Sequence, residues 1–324
     1  MRRKLDRSRS ADGATAFAPG TVANVAVGFD VLGFALVGIG DRVTAKFDPE
    51  ADRPVTVERV SGVVTDLPTD PERNTASVAV AALLGACQVD AGLRLTLRKG
   101  IPLGSGMGGS AASAVAGVVA VNALLDRPLP TAELLPFALA GEAAASGAPH
   151  ADNAAPSLFG GMTAIVAHDP PHVVDIPLPA GVSCVLVRPA LRIDTRDARA
   201  SLAPAVPLER VVEQSMSLTG FLAGCFRNDV ALIGRSFNDL IAGPQRAVRI
   251  PGFDDARSAA ERAGALGLAI AGSGPSVFAW VPSGAACHAV ERAVRDAFAR
   301  HGLETDGWIS PLGCPGARIE REAT

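Results

Sequence analysis

The sequence predicts an α+β fold in two domains, and three observations carry that expectation. LRLTLRK at residues 93–99 alternates leucine with Arg94, Thr96 and Arg98, the pattern of a strand with one wet face. The apolar run after the next glycine loop leads into another helix, not into a buried parallel strand. Past Gly160 and Gly161 the composition shifts to TAIVAHDPPHVVDIPLPAGVSCVLVRP, a proline-punctuated strand region. The expected division is a disordered tail at 1–14, a first domain at 15–166 and a second at 167–324.

The elements follow in order. MRRKLDRSRSADG is basic but no apolar stretch follows it, so it reads as a frayed tail and not as a secretory signal. TAFAPGTVANVAVGFDVLGFALVGIGDRVTAKF mixes apolar and polar residues with glycine punctuation, which predicts short strands and turns. PVTVERV and LRLTLRK are strands, and the small apolar residues of NTASVAVAALLGACQV between them form a packed helix. SAASAVAGVVAVNALL is helical, and TAELLPFALAGEAAASG gives another helix ending near Gly147. The second domain holds helices around residues 207–224 and 229–241, and a third at DDARSAAERAGALG. A hairpin at LAIAGSGPSVFAWV, a helix at ACHAVERAVRDAFARHG and a closing strand near residue 308 complete an α+β sandwich.

The chain has 324 residues, 48% hydrophobic and 19% charged, enough for a substantial core. A formal net charge of -3 gives no footprint for nucleic acid, and no apolar run is long enough to span a bilayer. The five cysteines are dispersed and form no C-x-x-C pair, which argues against a disulfide framework or a zinc site and for a reducing cytoplasm. Small-molecule chemistry is the remaining class.

KGIPLGSGMGGSAAS at 99–113 contains a G-x-G-x-x-G spacing at Gly104, Gly106 and Gly109. A dinucleotide site needs a buried parallel strand before it and an acidic residue ending a second strand about 20 positions on, and neither is present. A Walker A loop needs a lysine after the glycines, and none follows. What remains is strand, glycine loop and a helix whose first turn carries Ser110 and Ser113. Converging amides and the roughly half positive charge of a helix N-terminus favour a polyphosphate there. A serine-capped turn with no ligand is the plain alternative. Lys99 is the only lysine near the loop, so it is the candidate for an ammonium contact to phosphate.

IPLGSGMGGSAAS resembles the P-x-x-x-G-L-G-S-S-A-A phosphate loop of the GHMP kinases. APGTVANVAVGFDVLGFAL, GEAAASGAPHADNAAPSLFGG and AIAGSGPSVFA are similar to motifs of the homoserine kinases within that superfamily, in the same order, from about Thr15 onward. The resemblance implies a nucleotide-binding N-terminal domain like ribosomal protein S5 and a ferredoxin-like C-terminal sandwich. It implies ATP and Mg²⁺, phosphorylation of the L-homoserine hydroxyl in threonine biosynthesis, and a homodimer.

Residue by residue, the resemblance assigns ATP to Asn74, Lys99, Pro102, Gly104, Ser105, Gly106, Gly108, Gly109, Ser110 and Ala111, and Mg²⁺ to Ser110 and Glu142. Asp30 would receive the substrate ammonium, with Asn24, His150 and Asn153 beside it. Thr195 and Arg199 in RIDTRDAR, with Arg246, would hold the carboxylate. Glu142, Ser110, Asn153 and Asp30 are the catalytic set. Asn153 stands where some GHMP kinases have aspartate, and an amide cannot act as a base, so either Asp30, a phosphate oxygen or water takes the proton or a loose transition state needs no base. Gly109 departs from the usual first serine of the loop, and Met107 replaces leucine. A GHMP kinase for another alcohol and a non-catalytic nucleotide-binding relative are the alternatives.

Overall fold

The computed structural model describes residues 3–6, 13–282 and 284–320. Strands β1 (Ala14–Ala23) and β2 (Leu32–Phe47) form one long antiparallel pair, from Ala14 opposite Ala45 to Ala23 opposite Gly33, where short strands and turns were expected. Gly33 and Gly40, which suggested turns, serve close approach instead. A Cβ on Gly33 would lie 1.8 Å from the Asp152 carbonyl oxygen, and one on Gly40 would lie 2.3 Å from that of Ala18.

β3 (Val55–Gly62) and β4 (Leu93–Lys99) run parallel, joined by a crossover that carries α1 (Thr75–Cys87). Leu93, Leu95 and Leu97 face the core while Arg94 and Arg98 are exposed, as the alternation requires. α2 (Gly109–Ala123) is buried along most of its length, and it packs on α1 and on α3 (Leu135–Ser146), which ends at Gly147. The alanine-rich composition is what lets these helices approach. A Cβ on Gly141 of α3 would stand 2.4 Å from the Thr75 carbonyl oxygen.

α4 (Ala151–Phe159) was not expected, because it carries Pro156 in its interior. The hairpin of β5 (Met162–His168) and β6 (Pro171–Ile176) joins β2, so the first sheet runs past residue 166. It has seven strands, with β1 flanked by β2 and a C-terminal strand, β4 and β3 following β2, β5 paired to β2 and β6 to β5. β11 (Arg318–Glu320) returns from the far end of the chain to pair with β1. The chain therefore does not close on the strand near residue 308. Of the expected tail, residues 3–6 are docked, with the Arg3 amide donating to the Cys87 carbonyl and Leu5 bridging Leu125. Residues 1–2 and 7–12 lie outside the described residues.

The second sheet contains β7 (Ser183–Pro189), β8 (Gly267–Ile270), β9 (Val277–Val281) and β10 (Thr305–Pro311), ordered β10-β7-β9-β8 and antiparallel throughout. Between β7 and β8 lie α5 (Thr195–Ala200), α6 (Leu208–Arg227), α7 (Val230–Ser236), α8 (Ala242–Ala247) and α9 (Phe253–Arg262). The helix expected at 229–241 stops at Ser236, since Asp239 accepts from the Ile241 and Ala242 amides and the chain restarts as α8. α10 (Gly284–Arg300) packs beside α9 and completes the ferredoxin-like order.

Residues of β9 divide between two cores. Val277, Ala279 and Val281 join the core under α9 and α10, while Phe278 and Trp280 point toward the first sheet. There Phe34 of β2 meets both rings edge-on, at 5.7 and 5.9 Å. The two domains thus share a buried aromatic cluster. Among the described residues, no helix is long and apolar enough to cross a membrane.

Because Gly33 lets α4 lie directly on β2, Gly33→Ala should destabilise the protein by about 2 kcal/mol or more, read from the chemical-denaturation midpoint. Gly38→Ala, at a position with open space but φ of +80°, should cost about 1–2 kcal/mol from backbone strain alone.

Candidate active site

The glycine loop between β4 and α2 is shaped by alternation. Gly104, Gly106 and Gly108 have φ of +62°, +77° and +66°. Every second residue is left-handed, so the working set is these three and not the G-x-G-x-x-G that ends on Gly109. Side chains are excluded as well as strained: a Cβ on Gly106 would lie 2.4 Å from the Ala271 carbonyl oxygen, and one on Gly108 would lie 2.1 Å from Thr21 Oγ1.

The loop carbonyls turn into the protein. Those of Gly104, Ser105 and Met107 accept from the amides of Ile193, Ser276 and Thr21 at 3.4, 3.3 and 3.1 Å. The amides of Gly106, Gly108, Gly109 and Ser110 donate to no acceptor among the described residues. Alternating handedness with free amides at a helix N-terminus makes an anion cradle.

Lys99 is differently placed than expected. Its ammonium is buried and ion-paired with Asp41, and it also donates to the Gly109 carbonyl and to Ser113 Oγ, both at 2.8 Å. An ammonium has three donors, and all three are committed, so Lys99 braces the loop from behind and does not reach for a phosphate. Asp41 was missed. Its carboxylate also accepts from Ser113 Oγ at 2.8 Å and from the Gly100 and Ile101 amides at 2.9 and 3.3 Å. The available signal was its phase, because Asp41 shares the buried side of β2 with Ile39, Val43 and Ala45.

On the opposite wall, residues Asn24, Val25 and Ala26 form a left-handed run with φ of 71°, 43° and 59°. For a β-branched valine this is a strained conformation, held here by complete burial of Val25. Asn24 Oδ1 accepts from the Asp30 amide at 3.0 Å, and Nδ2 donates to the Gly272 carbonyl at 3.0 Å. Asn24 therefore sets the loop that presents Asp30. Arg246 Nη1 donates to the same Gly272 carbonyl at 2.6 Å.

Arg199 pairs directly with Asp30. Arg199 and Arg246 both lie over the Phe29 ring at 5.1 Å, a platform that sequence reading did not identify. Arg246 is buried, its Nε has no hydrogen-bond partner among the described residues, and burial lowers its pKa. Thr195 Oγ1 lies 3.3 Å from Ser273 Oγ, which brings the AGSGPS loop to this wall.

Glu142 of α3 is buried, and His150, at the N-terminal end of α4, places Nδ1 3.3 Å from its Oε1. That hydrogen bond raises the imidazole pKa against the effect of burial. Asn153 Oδ1 accepts from the Thr21 hydroxyl at 2.8 Å. Asp152 beside it is buried, and desolvation together with the charge of Asp30 pushes its pKa up to about 7. Glu142 and Ser110 are hard oxygen donors on one cavity.

These walls enclose a cavity of about 570 Å³. Every residue singled out from the sequence lines it except Ala111, which is buried within α2. One wall suits a polyphosphate and the other offers paired charges of both signs.

The family model for the GHMP kinases N terminal domain matches residues 74–161, and that for the GHMP kinases C terminal matches residues 221–300. A homoserine kinase of Xanthomonas campestris pv. campestris is 44% identical over 307 residues, 94% of each chain. One of Chloroherpeton thalassium is 42% identical over 314 residues, 94% of this chain and 98% of its own. Among solved structures, homoserine kinase from Cytophaga hutchinsonii superposes with a TM-score of 0.91 at 42% identity, covering 95% of this chain and 98% of that one. L. major mevalonate kinase, in complex with R-mevalonate, has a TM-score of 0.72 at 16% identity over 95% of this chain and 99% of that one, a likeness of fold alone.

Two measurements probe this geometry. Lys99→Met strands a buried carboxylate and should cost about 3–5 kcal/mol of stability, part of which the second change Asp41→Asn should restore. His150 should titrate above 6.5 by NMR in the wild type and lower than that wild-type value in Glu142→Gln, which removes the largest cause of the rise. Because folding raises this pKa, the pair's stabilisation is full below about 6.5 and fades as pH climbs through the raised value.

Proposed function

Since the chain belongs to the homoserine kinases of the GHMP kinase family, we propose that it transfers the γ-phosphoryl group of ATP to the side-chain hydroxyl of L-homoserine. The products are O-phospho-L-homoserine and ADP, a step of threonine biosynthesis. The observation that carries this reading is the juxtaposition of free loop amides with the Asp30, Arg199 and Arg246 cluster across one cavity.

The loop amides and the N-terminus of α2 hold the phosphates. The amino acid enters by exchange. Its ammonium replaces Arg199 at Asp30, and its carboxylate takes Arg199, Thr195 and the spare Nε of Arg246. Arg199 and Asp30 are both partly exposed, so separating them costs little. Positioning the hydroxyl against the phosphoryl group then supplies most of the acceleration.

Ser110 and Glu142 fit Mg²⁺, which takes few protein ligands and completes its shell with phosphate and water, and which neutralises charge on the transferring group. Asn153, held by Thr21, orients and takes no proton. Gly109 is compatible with catalysis, since its carbonyl is the one Lys99 grips and a Cβ there would press within 3.1 Å of Ile101. Five buried free cysteines support a reducing cytoplasm, and the homodimer is proposed on the family expectation alone.

ADP release with ATP and Mg²⁺, scanned over L-homoserine, L-threonine, shikimate, mevalonate and galactose, should favour L-homoserine. Faster turnover of any other alcohol would sink the assignment. Ser110→Ala and Glu142→Gln should each lower kcat by about 10²-fold or more, and Arg246→Met should raise the KM for homoserine about tenfold with that for ATP little changed.

A further inference from the structure

We propose that Arg192, carried by the C-terminal domain, contacts the phosphate chain of the bound nucleotide from above the glycine loop; this rests on the kinase reading given above. A nucleoside triphosphate brings several negative charges to a cradle made of neutral amides. The cations already described are occupied elsewhere. Lys99 is locked to Asp41, Arg199 to Asp30, and Arg246 to the Gly272 carbonyl beside Phe29.

Arg192 lines the same cavity, is exposed, and forms no ion pair or hydrogen bond among the described residues. Its stem is packed on the loop itself. Its Cγ lies 2.7 Å, and its Cδ 3.6 Å, from where a Cβ on Gly104 would stand, so glycine at 104 both permits the left-handed turn and admits Arg192. The backbone beneath is anchored on two sides. The Ile193 amide donates to the Gly104 carbonyl at 3.4 Å, and the Ile193 side chain is buried in the second core. A fixed stem with an uncommitted planar fork at the mouth of an anion cradle matches bidentate recognition of phosphate oxygens.

The test is equilibrium binding of ATP with Mg²⁺, and separately of adenosine, to the purified full chain and to Arg192→Gln and Arg192→Lys. Arg192→Gln should weaken ATP binding about tenfold and leave adenosine within twofold, with Arg192→Lys intermediate. The KM for ATP should rise in step, the KM for homoserine should hold, and the denaturation midpoint should be unchanged because the side chain supports nothing else. ATP affinity within twofold of wild type, or an equal loss for adenosine, overturns the proposal. Wild type that binds ATP but leaves homoserine unphosphorylated overturns the kinase reading instead, and the Arg192 comparison still decides this one. Wild type that fails to bind ATP overturns both.

Discussion

The buried pairing of Lys99 with Asp41 is the interaction on which the site depends. It joins the end of β4 to the middle of β2, and through Gly109 and Ser113 it ties both strands to the first turn of α2. Asp41 also takes the Gly100 and Ile101 amides, which fixes the direction in which the chain leaves the strand. A charge pair in that position is a poor way to gain stability, since its desolvation offsets much of its attraction. What it secures is geometry. With carbonyls drawn inward and glycines left-handed, the loop has its amides free for a ligand.

The opposing wall is built by a different device. Three left-handed residues, a strained valine among them, present Asp30, and α5 and α8 bring up the arginines. The amino-acid wall takes Asp30 from a loop of the first sheet and its arginines from helices of the second domain, so their spacing depends on how the two sheets meet. Phe34, Phe278 and Trp280 settle that by packing edge to face in the core between them. The spacing within the amino-acid wall therefore rests on an aromatic contact between the domains.

Much of this was legible where the signal is local. LRLTLRK, the hairpin around GSGPS and the helix ending at Gly147 follow from periodicity and capping. Every residue singled out from the sequence lines the cavity except Ala111, while other lining residues, Arg73 and Arg192 among them, carried no sequence signal. What failed was long-range. β5 and β11 join the first sheet through partners that no window of sequence contains, and α4 hides behind Pro156. Lys99 was matched to the phosphates by nearness in sequence, whereas the carboxylate that captures it lies 58 residues away. Charged groups are the hardest to assign for this reason: their role is decided by the partner that folding supplies.

The Gly272 carbonyl has a consequence of its own. One oxygen accepts both Asn24 from the first domain and Arg246 from the second, so its two lone pairs are the hinge pin between the amino-acid wall and its support. No side chain contributes that atom. Evolution can therefore retune each arm, by exchanging the asparagine or the arginine, but cannot delete the pivot by substitution. A scan of side chains would map the arms and leave the joint itself unseen.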